Sequence, residues 1–576
     1  MRRHTFDIYF LVILIFLSYN IGMYIRTVSR KNKDGSVTRY VQLAHNYRDK
    51  ETGQAKADVL FNFGREEEVD KDALKRLVQS IYRFLGPEEA MKSNADKSSG
   101  FLRFISSKPL GGAWFLDCLW RRIGVQNTLE KLLQSRKYAS PVERAIFAMV
   151  ANRALAPGSK SAVERWVGDE IFINNLTEIP VQNLYRAMDF LLEAESEIQH
   201  DVFFSVANLF NLEVDLLYFD TTSTYFETEI TDEDFRKPGF SKDHRPDLPQ
   251  AVIGLAVTRD GIPVRCWVWP GNTADMSVVN QVKKDLVGWK LGRVITVVDR
   301  GFVSEENLRT LQRAGGHYIA GEKMRNGKPD TERALSTKGR YHTVKDNLEV
   351  KEIVIGEGEA RKRYVLVRNP KQAEKDRLHR EKILKELEQE LREIGQLKGT
   401  HHNKASCRLM SHPTYGRYLK MMSSGLLKID ISKIKEEEKL DGKYLIRTSD
   451  DTLSAVDIAL GYKQLLEVES AFRTLKSTLE LRPVYHRLED RIRAHVLLCW
   501  LALMLVRIAE NELQNTWPRI LKELQKIHLG EFQGRDGVVW QCTELNPTQK
   551  GYFRSLKLKE PPRFMKIRPS SFEKDL

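Results

Sequence analysis

Two short stretches decide the fold: VDLLYFD at residues 214–220 and VITVVD at residues 294–299. Each is an apolar run of strand-forming residues that ends at an aspartate, which is typical of a buried strand. Ligands bind at the carboxyl ends of strands in open α/β sheets. We therefore predict that Asp220 and Asp299 lie at one edge of a sheet, where they can share divalent cations. The open alternative is that each aspartate only ends its strand in a turn.

The segments around these stretches predict a mixed α/β sheet. Apolar runs at residues 252–257 and 264–269 flank the sequence RDGIP, whose Asp-Gly pair favours a hairpin turn. Helices are expected at about residues 275–289 and 304–314, and a short strand at 317–320. The order strand, hairpin, helix, strand, helix, strand is that of an α/β fold with a mixed sheet.

A carboxylate on a later helix is the third candidate ligand. The apolar pattern predicts one helix over about residues 454–479, in which Glu469 shares a row with Tyr462, Arg473 and Lys476 at ~100° per residue. Three carboxylates beside cations are what two-metal phosphoryl transfer requires. Tyr462, Arg473 and Lys476 would then hold the phosphate backbone of DNA. The alternative is a solvated helix face with a Glu469–Arg473 ion pair.

The composition points to a nucleic-acid partner. The chain has 576 residues, with 92 Lys and Arg against 78 Asp and Glu, so its net charge is +14. Its 41% hydrophobic and 30% charged residues exclude a disordered or fibrous protein. Excess positive charge favours a polyanionic partner, usually nucleic acid and less often an anionic membrane. The five cysteines form no C-x-x-C pair, which indicates neither a disulfide framework nor a zinc ribbon and fits a cytoplasmic location.

Two apolar runs require a length test. Residues 8–17 are too few to cross ~30 Å of hydrocarbon as a helix, and no small-residue cleavage site follows them. Three interpretations stay open: a misassigned start with Met23 opening the working protein, which is favoured, a genuine leader or anchor, and a buried helix. The run at residues 496–506 is closed by Arg507 and predicts a buried core helix rather than a membrane span.

The spacing of Tyr462, Glu469 and Lys476 matches a Y-x2-R-x3-E-x6-K signature, with Leu465 at the arginine position. Here the sequence resembles the DDE transposases of bacterial insertion sequences, in the subgroup that has this signature and an insertion between the second Asp and the Glu. Arg473, one turn after Glu469, is the candidate to replace the missing arginine. The other matching segments are YFDTTSTYFE at 218–227, the stretch 240–264, VVDRGF at 297–302 and the stretch 472–495.

The resemblance implies a ribonuclease H-like core whose acids Asp220, Asp299 and Glu469 bind two Mg²⁺ or Mn²⁺ ions. It implies nicking of DNA at terminal inverted repeats and joining of the freed 3′ ends to a target DNA. It further implies a homodimer in a paired-end complex, located in the bacterial cytoplasm with the nucleoid and not in a membrane. Arg300, next to Asp299, is a further candidate for contact with DNA.

The pattern and the resemblance together predict the domain organisation. The expected order is an apolar leader at 1–22, a small strand module at 23–71, a helical region for binding DNA ends at 72–211, the first part of the ribonuclease H-like core at 212–321, an insertion domain at 322–450, the core helix with the third acid and the following core helix at 451–515, and a C-terminal tail at 516–576.

Several alternatives stay open. Arg482, His486 and His495 either contact phosphates or make surface pairs, and Trp267 and Trp269 are expected in the core rather than on a flipped base. At the level of function, the alternatives are an inactive transposase remnant that only binds DNA and a metal-dependent nuclease without strand transfer.

Overall fold

The structure is a computed structural model. It describes residues 22–32, 35–48, 55–78, 80–81, 84, 103–134, 136, 141–212, 214–228, 234–291, 293–358, 361–534 and 537–569. The expected leader at residues 1–22 lies outside the described residues apart from Gly22. The described residues form two compact units, one with the N-terminal strands and one with nearly all residues from Phe104 onward.

The described residues of the N-terminal unit contain an antiparallel three-stranded sheet. Its strands are β1 (Gly22–Lys31), β2 (Val37–Arg48) and β3 (Ala55–Arg65), in the order β1-β2-β3. Strand β2 pairs with both neighbours, and two register shifts interrupt its ladder with β3. The strand-rich pattern of this region of the sequence therefore corresponds to a sheet.

Six helices precede the main sheet in the second unit. They are α1 (Gly111–Arg122), α2 (Val125–Leu133), α3 (Val142–Leu155), α4 (Lys160–Arg165), α5 (Val181–Glu193) and α6 (Glu195–Phe210). Helix α3 is buried on almost every side, because it packs against both α5 and a long later helix, α15 (Glu489–Leu513). These helices share one continuous hydrophobic core with the main sheet.

The main sheet has nine strands. They are β5 (Leu216–Tyr225), β6 (Gln250–Val257), β7 (Pro263–Pro270), β8 (Ile295–Val298), β9 (His317–Glu322), β10 (His342–Lys345), β11 (Leu348–Ile355), β12 (Lys362–Arg368) and β15 (Lys443–Thr448), in the order β10-β11-β12-β15-β9-β8-β5-β6-β7. Strands β5, β8 and β9 are parallel, and the other pairs are antiparallel. The predicted hairpin is confirmed as β6–β7. The mixed α/β class is thus confirmed, and it fits a ribonuclease H-like fold.

Helices cover both faces of this sheet. Helices α7 (Val279–Val287) and α8 (Glu305–Gln312) pack on one face, where Trp267 and Trp269 are buried with their rings parallel to within 5°. The expectation that both tryptophans fill core is therefore confirmed. On the other face lies α15, which is long and apolar enough to cross a membrane by length and composition but has 94% of its most apolar window buried inside the protein. This agrees with the predicted core helix.

The predicted insertion is not a body apart from the core. Its strands β10, β11, β12 and β15 continue the main sheet beyond β9. A smaller hydrophobic cluster is formed by the part between β12 and β15. That part contains α10 (Pro370–Gln396), α11 (Gly399–Ser411), β13 (Leu419–Met421), β14 (Leu427–Ile429) and α12 (Ile431–Glu438), while α9 (Pro329–Ser336) packs on β11 and β12.

The prediction of one helix over residues 454–479 was wrong. Helix α13 (Ala455–Lys463) ends before Gln464, α14 (Leu466–Arg473) begins two residues later, and a π-helical turn follows at Thr474–Thr478. The Tyr218 hydroxyl donates a hydrogen bond to Gln464 Oε1 at 2.8 Å, which holds the break against strand β5. A tertiary contact at Gln464 thus accompanies the break in a sequence that contains no Gly or Pro there.

The described part of the C-terminal tail forms helices and strands. It contains α16 (Trp517–Leu524), β16 (His528–Gly534), β17 (Gly537–Cys542), α17 (Pro547–Ser555) and β18 (Phe564–Pro569). The three strands join β4 (Arg103–Pro109) in a sheet of order β18-β17-β16-β4. This pairing brings together segments more than four hundred residues apart, such as Ser107 and His528, whose side chains are separated by 421 positions.

Candidate active site

Asp220 and Asp299 lie on neighbouring parallel strands. Phe219 of β5 pairs in register with Val298 of β8, so the two aspartates follow that pair side by side. Asp220 does not end its strand as predicted, because β5 continues to Tyr225 by pairing with β6. It is the parallel pairing with β8 that ends before Asp220. The sheet therefore presents both carboxylates where β8 stops.

Burial controls the charge of Asp220. Its side chain is 21% exposed. The pKa of Asp220 is raised to about 6 by burial, with smaller contributions from the nearby carboxylates of Asp275 and Asp299, against the lowering effect of Lys242 and of the Thr221 backbone N–H. That N–H donates to Asp220 Oδ1 at 2.7 Å. Two further carboxylates therefore lie close enough to act on Asp220 at this edge of the sheet.

A lysine lies between two of these carboxylates. Lys242 Nζ lies 3.5 Å from Asp220 Oδ1 and 3.3 Å from Asp275 Oδ2. It also donates to Thr221 O and Oγ1 at 2.7 and 2.8 Å, while the Thr221 hydroxyl donates to Asp275 Oδ1 at 2.5 Å. Asp275 and Lys242 were missed by the sequence analysis, although Asp275 closely follows β7 and Lys242 lies in the matching stretch 240–264.

Tyr462 contacts the second aspartate. Its hydroxyl donates to Asp299 Oδ1 at 3.0 Å, and burial together with the Asp299 carboxylate raises the pKa of Tyr462. The ring stacks on Tyr444, with centroids 5.8 Å apart. A Cβ at Gly321 would lie 2.9 Å from Tyr462 Cζ and closer still to the hydroxyl oxygen. The phenol therefore reaches Asp299 only because residue 321 is a glycine.

Glu469 lines the same cleft as Asp299. This cleft has a volume of about 310 Å³, and its lining includes Asp299, Tyr462, Leu465 and Glu469. Glu469 is exposed, whereas Leu465, at the arginine position of the signature, is 8% exposed. Within the described residues, no three His, Cys, Asp or Glu side chains come close enough to hold a metal ion together. The structure thus brings Glu469 to the cleft but not into contact with the aspartates.

The predicted row of DNA-binding side chains is divided. Lys476 Nζ donates to Asp243 Oδ1 at 2.8 Å, and Arg482 lies 3.2 Å from the other oxygen of Asp243. Arg473 is exposed and, in the part of the chain that the structure describes, forms no ion pair with Glu469. The break before α14 and the π-helical turn after it explain why a single helical wheel failed. Arg300 is exposed beside Asp299.

Comparison with protein families decides the identity. Residues 25–92 match the family described as IS1634 family transposase, N-terminal domain, and residues 252–505 match the transposase DDE domain. The chain belongs to the DDE transposases of insertion sequences. The two matched segments of this transposase include Asp299 and Glu469, whereas Asp220 precedes the second segment by one strand.

The transposase was also compared with solved and curated proteins. It is similar to a cryo-EM structure of the piggyBac transposase synaptic complex with hairpin DNA, with 11% sequence identity and a TM-score of 0.33, over 72% of this chain and 79% of that chain. No curated protein matches it.

Proposed function

We propose that this transposase binds the terminal inverted repeats of an insertion sequence, cleaves the DNA strands and joins the freed ends to a target DNA. Asp220, Asp299 and Glu469 are the proposed catalytic residues, and together they would hold two Mg²⁺ or Mn²⁺ ions. The observation that carries the proposal is the position of Asp220 and Asp299 on neighbouring parallel strands, with Glu469 in the cleft of Asp299.

The chemistry of these side chains fits divalent cations. Carboxylate oxygens are the ligands that Mg²⁺ and Mn²⁺ prefer. The ammonium group of Lys242 between Asp220 and Asp275 supports this fit, because it shows that the carboxylates accommodate a positive charge. Bound ions would supply an activated water or 3′-hydroxyl and stabilise the leaving oxygen.

Neighbouring groups orient the proposed ligands. The Thr221 N–H fixes one oxygen of Asp220, and the Tyr462 hydroxyl fixes one oxygen of Asp299. Such hydrogen bonds from outside the ligand set limit the rotation of a carboxylate. In this proposal Tyr462 acts on Asp299 rather than directly on DNA.

The cations and helices near the site have proposed roles in binding DNA. Arg300 and Arg473 are exposed on either side of the acids and would contact phosphates, which positions DNA without reading its sequence. Lys476 would do the same after exchanging its contact with Asp243. The helical region 72–211 would bind the DNA ends, and two copies of the chain would form the paired-end complex.

The test uses a plasmid that carries the terminal inverted repeats of the element. Asp220→Asn, Asp299→Asn and Glu469→Gln should each reduce Mn²⁺-dependent cleavage by roughly a thousandfold or more, because each removes a charge that the transition state requires. End binding in a gel-shift assay should remain within a few-fold of the wild type.

Matched controls lie close to each residue. Asp215, just before β5, forms an ion pair with Arg259 at the opposite end of the strand, and Glu467 lies two positions before Glu469 in another cleft. Asp215→Asn and Glu467→Gln should cleave normally. If one of the three active-site variants cleaved the plasmid as well as the wild type, the substituted residue would not be a catalytic residue.

A second function is a remnant that binds DNA without cutting it. The separation of Glu469 from the aspartates favours it. Binding of the inverted repeats with no cleavage by the wild type in Mg²⁺ or Mn²⁺ would select this alternative. Cleavage without joining to a target would select a nuclease.

A further inference from the structure

Four basic side chains cluster where the helices pack on α15. They are Arg153 at the end of α3, Lys160 at the start of α4, His495 in α15, and His486 in the segment that leads into α15. Arg153, Lys160 and His495 are each 3% exposed, and the rings of His486 and His495 lie 5.7 Å apart. We call these four residues the buried cation cluster.

The buried cation cluster has no acidic partner within the described part of the chain, where none of its side chains forms an ion pair with a carboxylate. Arg153 donates instead to the backbone oxygens of Glu480 and Gly158, and His495 Nε2 lies 3.1 Å from Leu481 O. Arg153 Nε and His495 Nδ1 are buried without a hydrogen-bond partner. Buried positive charge of this kind is unfavourable unless an anion compensates it.

Burial and mutual repulsion favour the neutral forms of Lys160, His486 and His495. Burial, followed by the charge of Arg153, lowers the pKa of Lys160 to about 7. Burial, followed by the charge of Lys160, lowers the pKa of His486 to about 4, and the pKa of His495 falls well below its usual value for the same reasons. Three other titratable groups of the described residues face the cluster. The Cys499 thiol lies 3.8 Å from His495 Nε2, the Tyr185 ring lies 6.2 Å from that of His486, and the charge of Arg491 also lowers the pKa of His486.

His486 connects the buried cation cluster to a cleft at the end of β5. The cleft has a volume of about 300 Å³, and its lining includes one carboxylate, Glu227, together with the basic residues Arg236, Arg482, His486 and Arg487 and the aromatic residue Tyr225. The guanidinium of Arg482 lies 4.5 Å from the centre of the Tyr225 ring. Tyr225 follows Asp220 by five residues of the same strand, which corresponds to roughly 17 Å. DNA held at Asp220 would therefore extend to this cleft.

We propose that this cleft is a phosphate-binding site, in which His486 and Arg482 contact a phosphate of the DNA and the buried Lys160 and Arg153 supply positive potential behind it. Arg482 would make this contact after exchanging its ion pair with Asp243. The assignment to DNA rests on the proposed function, and free phosphate is the other source of the same group. Charges in the interior act over a lower effective dielectric than surface charges, so buried cations can act on an anion that they do not touch. The absence of a described carboxylate partner leaves their charge available to the ligand.

The test compares full-length wild type with Lys160→Met, a change that keeps the length and the apolar stem of the side chain. Binding to a duplex that carries the terminal inverted repeat is measured against salt concentration near neutral pH. The variant should bind about threefold to tenfold more weakly, and the slope of log affinity against log salt should become shallower, because the positive charge behind the phosphate is removed.

Two further variants keep this test decisive. His486→Gln, in the wall of the cleft, should weaken binding even if Lys160→Met fails to fold. Because the pKa of His486 is lowered to about 4, this change removes no charge near neutral pH and should leave the slope unchanged. Lys283→Met is the matched control, since Lys283 is a half-buried lysine in a different cleft whose pKa is also lowered by burial. It should leave the slope unchanged.

Inorganic phosphate tests whether the site binds a phosphate of the DNA or free phosphate. If phosphate raises the Tm of the wild type but not of Lys160→Met, and the DNA slope is unchanged, the site takes free phosphate and the DNA assignment is overturned. The whole proposal would be overturned if Lys160→Met and His486→Gln had the same DNA affinity, salt slope and Tm response to phosphate as the wild type. This holds even if the enzyme cleaves DNA. The salt slope of DNA binding could depend on Lys160 in a protein that does not cleave DNA. That result would support the phosphate-binding site and contradict the catalytic proposal.

Discussion

Several side chains at the proposed site are held by close contacts that leave no room for a larger neighbouring side chain. Tyr462 reaches Asp299 across the backbone of Gly321, where no side chain intervenes. Lys242 contacts four oxygen atoms that belong to Asp220, Thr221 and Asp275. Because each contact depends on its neighbours, small substitutions outside the three acids should affect the site.

Gly321→Ala is the sharpest substitution of this kind. The added methyl group would overlap the Tyr462 phenol, so the ring must move away from Asp299. We expect a loss of about 1–3 kcal/mol in the free energy of unfolding, as for overpacked positions, together with reduced cleavage. Chemical denaturation and the plasmid assay measure the two effects.

Tyr462→Phe is the matched control for this substitution. It removes the hydrogen bond to Asp299 without a clash, so it should reduce cleavage with a smaller loss of stability. Equal stability of Gly321→Ala and the wild type would contradict the steric explanation.

For single residues, the sequence predicted those candidate site residues that belong to a strand or helix pattern of neighbouring positions. Asp220 and Asp299 could be placed together because each ends an apolar run, and Tyr462 was found through its spacing from Glu469. Asp275 and Lys242 come from connecting segments, where no periodicity indicates the direction of a side chain. The contact of Lys476 with Asp243 was missed for the same reason.

Among the elements, the segment between β12 and β15 has an unusual geometry. Arg368, the last residue of β12, pairs directly with Lys443, the first residue of β15. The chain therefore leaves the sheet and returns to it at neighbouring positions. The helices between them have a hydrophobic cluster of their own.

This geometry predicts that the segment can be removed. Replacement of residues 369–442 by Asn-Gly should join β12 and β15 in a two-residue hairpin and leave the main sheet folded. Circular dichroism and a cooperative thermal transition would show retention of the fold. Replacement of residues 362–448, which also removes β12 and β15, should abolish the transition, because it exposes β9 and β11. Unfolding of the first variant would contradict the prediction.

Two features of the elements could not be predicted from the sequence. The interruption at Gln464 has no Gly or Pro, and it coincides with a hydrogen bond from Tyr218, which lies 246 positions away. The strands of the region 322–450 were expected in an insertion domain, but sequence pattern does not state which sheet edge a strand joins. Here they continue from β9.

The second unit as a whole depends on α15. This helix packs against α3 and α5 on one side and against β7 of the main sheet on another. The sequence predicted its burial from its length and apolar character. It did not predict that the helical region and the sheet share one core, because that is a property of packing between distant segments.

Trp500→Ala tests this common core. The side chain is 1% exposed in the middle of α15, so its truncation should lower the free energy of unfolding by about 3–5 kcal/mol. Hydrogen exchange should show loss of protection in α3, α5 and the main sheet together. Loss confined to the helices would show that the two parts unfold separately. Trp517→Ala, in the neighbouring α16, is a control for a large buried tryptophan outside α15.

The neighbouring positions of Arg368 and Lys443 also bear on how such a chain changes over evolutionary time. A single in-frame insertion or loss of DNA between two adjacent codons would suffice to add or delete the whole intervening segment. Neither event would shift the register of the nine strands. The junction between β12 and β15 is thus a position at which a segment can be added or lost without rebuilding the main sheet.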